Sequence, residues 1–145
     1  MAAKARARAV APAPRFTYQY AVKFLCTSNI PGTSQTTTSL LAGSYATVVN
    51  IHNPNAALVG FRMKLASAGG NISEFIKEEL KPDQATKVDC SQLSRFGPQP
   101  IHGFEGFLVI ESPLSLDVVA VYTAAGEGGK VSSLDVEYIR ERRLR

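Results

Sequence analysis

The sequence predicts an all-β chain, an immunoglobulin-like antiparallel two-sheet sandwich of about seven strands with one short helix. Three observations carry that prediction. From Phe16 to Cys26 large apolar residues fall on alternate positions, the period of a half-buried strand. Further apolar runs, rich in β-branched residues, recur at short intervals between clusters of turn formers. A single stretch, NISEFIKEELKP, has helical spacing instead.

The elements are expected in the following order. The first strand places Phe16, Tyr18, Tyr20, Val22, Phe24 and Cys26 on one face. After the polar loop TSNIPGTSQTTTS, the segment SYATVVNIHNP gives a second strand closed by Asn53 and Pro54. ALVGFRMKLA alternates Val59, Phe61, Met63 and Leu65 with Gly60, Arg62 and Lys64, so its solvent face is basic. In NISEFIKEELKP, Ile72, Phe75, Ile76 and Leu80 sit at helical spacing, and Asn71 with Glu74 resembles a capping box; a short helix is expected there. ATKVDCSQL reads as a fourth strand, followed by the turn-rich loop SRFGPQPIHG. GFLVIES and LDVVAVYTA are joined across Pro113, and the second is apolar on both faces, as a strand buried on both sides would be. The Gly-rich turn AAGEGGK leads to a last strand, VSSLDVEYI.

The 145 residues suit one domain, residues 16–139, between a flexible basic arm at 1–15 and a basic C-terminal tail at 140–145. With 45% hydrophobic and 19% charged residues, the chain is not broadly disordered, and its apolar content leans toward an oligomer. The charge of +4 is unevenly placed. Lys4, Arg6, Arg8 and Arg15 stand in the arm without an acid, and Arg140, Arg142, Arg143 and Arg145 in the tail face only Glu141, which leaves the body net acidic. The arm, with Pro12 and Pro14, has no apolar periodicity. No window reaches the length of a membrane span, and the N-terminal stretch lacks the apolar core of a secretory signal. The expectation is a cytoplasmic protein by default, with a secreted mature form left open.

Few constellations suggest chemistry. Cys26 and Cys90 are either a disulfide between two strands or two buried thiols. His52 and His102 have no close metal-ligand pairing, so no metal or cofactor is expected. No G-x-S-x-G occurs, and the glycines 126, 128 and 129 precede a strand instead of a helix. Asp89, Asp117, Asp135 and Glu137 alternate with apolar neighbours and are expected on solvent faces. No catalytic residue is assigned and the chain is read as a non-enzyme.

The runs LKPDQATKVDCSQL, GFLVIESPLSLDVVAVYTA and VSSLDVEYI resemble a set of small uncharacterised bacterial proteins of the same length, over roughly residues 16–139. More distantly, the order of a strand ending in a polar turn, a basic strand, a KVDCSQL-like strand and a buried penultimate strand is similar in pattern to the sensory rhodopsin transducer family. That resemblance implies a small oligomeric β-sandwich linked to photoreceptors and DNA; the basic arm and the expected helix depart from it. It carries no functional residue over.

The leading expectation is a structural or interaction module that self-associates, with the first and last strands as candidate edges for a neighbour. The alternative is a nucleic-acid or anion-binding protein using Lys4, Arg6, Arg8, Arg15, Arg140, Arg142, Arg143 and Arg145, each able to neutralise a phosphate. A ligand-binding sandwich would need a pocket lined by His52, His102, Tyr45 or Tyr122; no small-molecule substrate is identified.

Overall fold

A computed structural model of the chain describes residues 12, 15–29, 43–98, 103–126 and 130–145. Its elements are β1 (Tyr18–Asn29), β2 (Gly43–His52), β3 (Val59–Ser67), β4 (Ile76–Leu80), β5 (Ala85–Asp89), a 3-10 helix (Cys90–Phe96), β6 (Gly103–Ser112), β7 (Asp117–Ala125), β8 (Val131–Tyr138) and β9 (Arg142–Arg143). The fold is all-β, as the alternation predicts. Among the described residues nine strands, against about seven expected, join in one antiparallel network of order β4-β3-β6-β1-β2-β7-β8, with β5 on β2 and β9 on β1.

This single sheet curls into a half-barrel, and the cause lies where β1 meets β2. The two strands pair only from Thr27–Asn29 to Gly43–Tyr45 and then diverge. In the opening, Thr47 Oγ1 accepts from the Leu25 amide at 2.9 Å and donates to the Leu25 carbonyl at 3.0 Å. One buried hydroxyl thus takes the place of a strand neighbour. Beyond it β1 continues along β6 for ten residue pairs, while β2 lies between β5 and β7. Inside the curl, Tyr20, Val22 and Phe24 of β1, Phe61, Met63 and Leu65 of β3, and Leu108 and Ile110 of β6 face Val49 and Ile51 of β2, Val88 of β5, and Val118 and Ala120 of β7. The alternation of β3, and that of β1 from Tyr18 to Cys26, is expressed as written, whereas Phe16 lies before β1 and packs on Arg62 at the outer side instead of on the core face.

Cys26 and Cys90 form a disulfide, which resolves the two readings of the cysteines. It ties β1 to the start of the 3-10 helix that follows β5, across the opening of the curl.

Three expectations are corrected. The segment NISEFIKEELKP holds no helix: Ile76–Leu80 is β4, paired with β3 from Met63↔Ile76 to Val59↔Leu80. Ile76, Glu78 and Leu80 turn inward on alternate positions, while Ile72 is 68% exposed and Phe75 lies against Arg62. The apparent helical stripe therefore mixes two faces of an extended chain. Nor do Asn71 and Glu74 cap anything, since Ser73 Oγ accepts from the Leu65 amide at 2.8 Å. A capping box does exist at Asp89, which accepts from the Ser91 amide at 2.9 Å while Gln92 Oε1 accepts from the Asp89 amide at 3.1 Å. It ends β5 early and turns CSQLSRF into the 3-10 helix, where the sequence suggested a continuing strand.

The outward side of the β3-β6-β1 layer is charged and internally paired. Glu111, nearly buried, receives the Arg62 guanidinium at 2.6 Å and Gln19 Nε2 at 3.2 Å, and Arg62 stacks on Phe16 and Phe75 with its Cζ 4.2 and 4.0 Å from the ring centres. The aromatic faces and the carboxylate together compensate the partly desolvated cation.

Candidate functional site: the outer face and free edge of β8

The opposite side of the molecule has a different surface. Antiparallel register sets cross-strand partners on one face: Asn50, Val119 and Tyr138; Val48, Val121 and Val136; Ala46, Thr123 and Leu134. These nine uncharged positions form the middle of the outward face of β2-β7-β8; His52 and Asp117 occupy its next row, and Lys87 and Asp89 of β5 border it beside Asn50 and Val48. Leu134 is 62% exposed, Val136 50% and Tyr138 82%. β7 was expected to be buried on both sides. Its inner residues Val118 and Ala120 are buried, whereas Val119 and Val121 on the outer side are only partly covered. The second apolar face of β7 thus belongs to the surface.

β8 is also an edge. Among the described residues it pairs with β7 alone, and all eight of its residues are exposed. The Ile139 amide bonds the Val118 carbonyl at 2.9 Å, so by alternation the amides of Leu134, Val136 and Tyr138 point away from β7. The Val136 amide is met by the carboxylate of its own neighbour Asp135 at 3.0 Å. The other expected edge, β1, is no edge: β6 covers one side, and β9, Thr47 and β2 share the other.

On the inner side of β8, Asp135 and Glu137 look across a cleft of about 270 Å3 toward Lys23, Leu25, Tyr45 and Tyr122. Tyr122 donates to the Lys23 carbonyl at 2.9 Å. Burial, reinforced by the neighbouring Glu137, pushes its hydroxyl up to about 12, so the phenol stays neutral. Lys23 is turned to Glu105 at 3.0 Å. Of the pocket residues expected from sequence, the cleft brings together Tyr45 and Tyr122. His52 stands at the far end of β2, and His102 lies outside the described residues.

His52 occupies a clamp of its own. Nδ1 lies 2.8 Å from Asp117 Oδ2 on β7, and Nε2 lies 2.8 Å from Asp83 Oδ1 in the turn before β5. The hydrogen bonds of Asp117 first, then those of Asp83, hold the imidazole above its ordinary range. The carboxylates approach opposite ring nitrogens, a geometry for an imidazolium donating twice.

The cations divide in two. Lys4, Arg6 and Arg8 lie outside the described residues, and Arg15 is exposed. The tail is docked as β9: Arg142 and Arg143 pair with Gln19 and Tyr18, Arg142 Nη2 donates to Gln19 Oε1 at 2.7 Å, and Glu141 accepts from the Tyr20 hydroxyl at 3.1 Å and from Ser115. The arginine side chains are nevertheless exposed.

No family model and no curated protein matches this sequence. Among solved structures, the crystal structure of Thermotoga maritima 1070 is similar. It is 10% identical with a TM-score of 0.55, and the match covers 86% of this chain and 92% of that one. At that identity the likeness is one of fold. Among the described residues, no helix is long and apolar enough to cross a membrane.

Proposed function

We propose that the protein is a non-enzymatic structural or interaction module that assembles with copies of itself through the outer face of β2-β7-β8. The observation that carries this reading is the neutral, apolar face made by Val48, Val119, Val121, Leu134, Val136 and Tyr138. Contiguous exposed apolar surface of this kind marks interaction sites. Because these six positions are uncharged and the charges that border the face are paired, His52 with Asp117 and Lys87 with Asp89, the face can meet its own image across a two-fold axis with little like-charge repulsion. The two halves of the curl, packed core to core, support a sandwich-like layering in which this outer face is the remaining apolar surface. The pattern similarity to oligomeric transducer proteins points the same way, and the Cys26–Cys90 bridge favours an oxidising compartment over the cytoplasm.

The test is the solution mass by light scattering over a dilution series, with absorbance at 260 and 280 nm read across the peak. A discrete multiple of 15.6 kDa with a protein-like absorbance ratio is expected. A monomer at every concentration would remove the reading, and a salt-sensitive 260 nm excess would replace it with nucleic-acid binding through the arms.

A further inference from the structure

We infer that residues 4–9 of a second copy add to β8 as an extra strand, a claim that rests on the self-association proposed above. Four observations converge on it. The amides of Leu134, Val136 and Tyr138 face outward along an eight-residue edge with no described neighbour, and an open edge of this length invites pairing. Next, the edge carries Asp135 and Glu137 on one face and Leu134, Val136 and Tyr138 on the other. Two β8 strands placed side by side across a two-fold axis would set these carboxylates against each other, which is unfavourable. The acids therefore select a strand with cations at alternate positions.

The chain contains such a segment. Lys4, Arg6 and Arg8 alternate with Ala5, Ala7 and Ala9; the charge, not the hydrophobicity, has the period of a strand. Laid along β8, the cations meet Asp135 and Glu137 while the alanines extend the apolar stripe of Leu134 and Val136. The neighbouring Asp135 carboxylate now capping the Val136 amide would exchange that bond for an ion pair as the incoming carbonyl takes the amide.

Geometry assigns the arm to another copy. The arm is rooted at Thr17, whose carbonyl accepts from Leu144, close to β9 and hence to the Tyr138 end of β8. Within one chain, an antiparallel arrangement would require Ala9 to reach the Val131 end. The link from Ala9 to Thr17, fully extended, covers ~27 Å, barely the ~26 Å length of β8, and leaves nothing for the reversal of direction or for the step sideways from the root to the β8 edge. A neighbour delivers the arm antiparallel without that limit.

The experiment compares amide hydrogen exchange at Leu134 and Val136 in the intact chain and in a variant lacking residues 1–11, with the mass of each measured in parallel. The expected result is exchange slower by about tenfold or more in the intact chain, slower still as concentration rises, and fast again in Asp135→Lys/Glu137→Lys. Adding Arg6→Glu and Arg8→Glu to that variant should restore the protection. Equal exchange in the intact and shortened chains, both oligomeric, overturns the arm while leaving the face reading intact. Protection that ignores concentration assigns the arm to its own chain and overturns the exchange between copies. A monomeric intact chain without protection overturns both.

Discussion

His52 links three segments through two carboxylates, and its behaviour with pH follows from the direction of its shift. With the folded-state value raised above the unfolded 6.5, the clamp's contribution is fully present below pH about 6.5 and is lost as pH rises through the folded value. Thermal unfolding of the intact protein should therefore shift to lower temperature across that window, and His52→Gln should flatten the dependence. A proton NMR titration of the ring gives the same test directly: a midpoint at or below 6.5 would contradict the clamp. Thr47 offers a second residue-level check. Thr47→Val keeps the shape but strips both bonds to Leu25 and leaves buried backbone groups unpaired, at a cost of about 1–3 kcal/mol in denaturant melts; an unchanged melt would mean that β1 and β2 diverge for another reason. Neither arrangement was legible in the sequence. A histidine beside Pro54 looks like a turn residue, and nothing adjacent announces that Asp83 and Asp117 converge on it from positions 31 and 65 residues away.

Among the elements, legibility followed burial on one side. β1 and β3 have one face in the core and the other in solvent, so their sequences alternate and are legible, save that Phe16, which continues the alternation in sequence, lies outside β1 against Arg62. β4 misled because Ile72 and Phe75, although apolar, lie outside the core and imitate a helical stripe. The signal for the 3-10 helix was present as Asp89 followed three residues later by Gln92, but the β-branched run before it dominated. Two tests address the elements. Gly106 lies where a Cβ would stand 2.2 Å from the Ala66 carbonyl oxygen and 2.8 Å from the Phe104 ring. Gly106→Ala should therefore force β6 from β3 and cost about 2 kcal/mol, and an alanine tolerated without loss would contradict the close β3–β6 approach. The disulfide closes a chain separation of 64 residues, worth about 4 kcal/mol on the chain-entropy model. Cys26→Ser/Cys90→Ser should lose stability of that order, and a denaturation midpoint insensitive to reductant would show that the bridge constrains little.

At the scale of the molecule, the core was legible and the interaction surface was not, for one physical reason. An apolar residue facing a partner has the same pattern in sequence as one facing the core. Val119 and Val121 read in the sequence as the second buried face of a central strand, and register alone shows that they share the outer surface with Leu134, Val136 and Tyr138. The basic ends were legible as charge but not as structure, since Arg142 and Arg143 belong to a strand that closes on β1. The account therefore stands on whether that outer face is covered in solution. Nitration of tyrosines, mapped by mass spectrometry in the intact protein and in Val136→Glu, decides this at a single residue. Tyr138 is 82% exposed in one chain; it should resist modification in the intact protein at high concentration and react freely in the variant. Full reactivity of Tyr138 in both would contradict the assembly face.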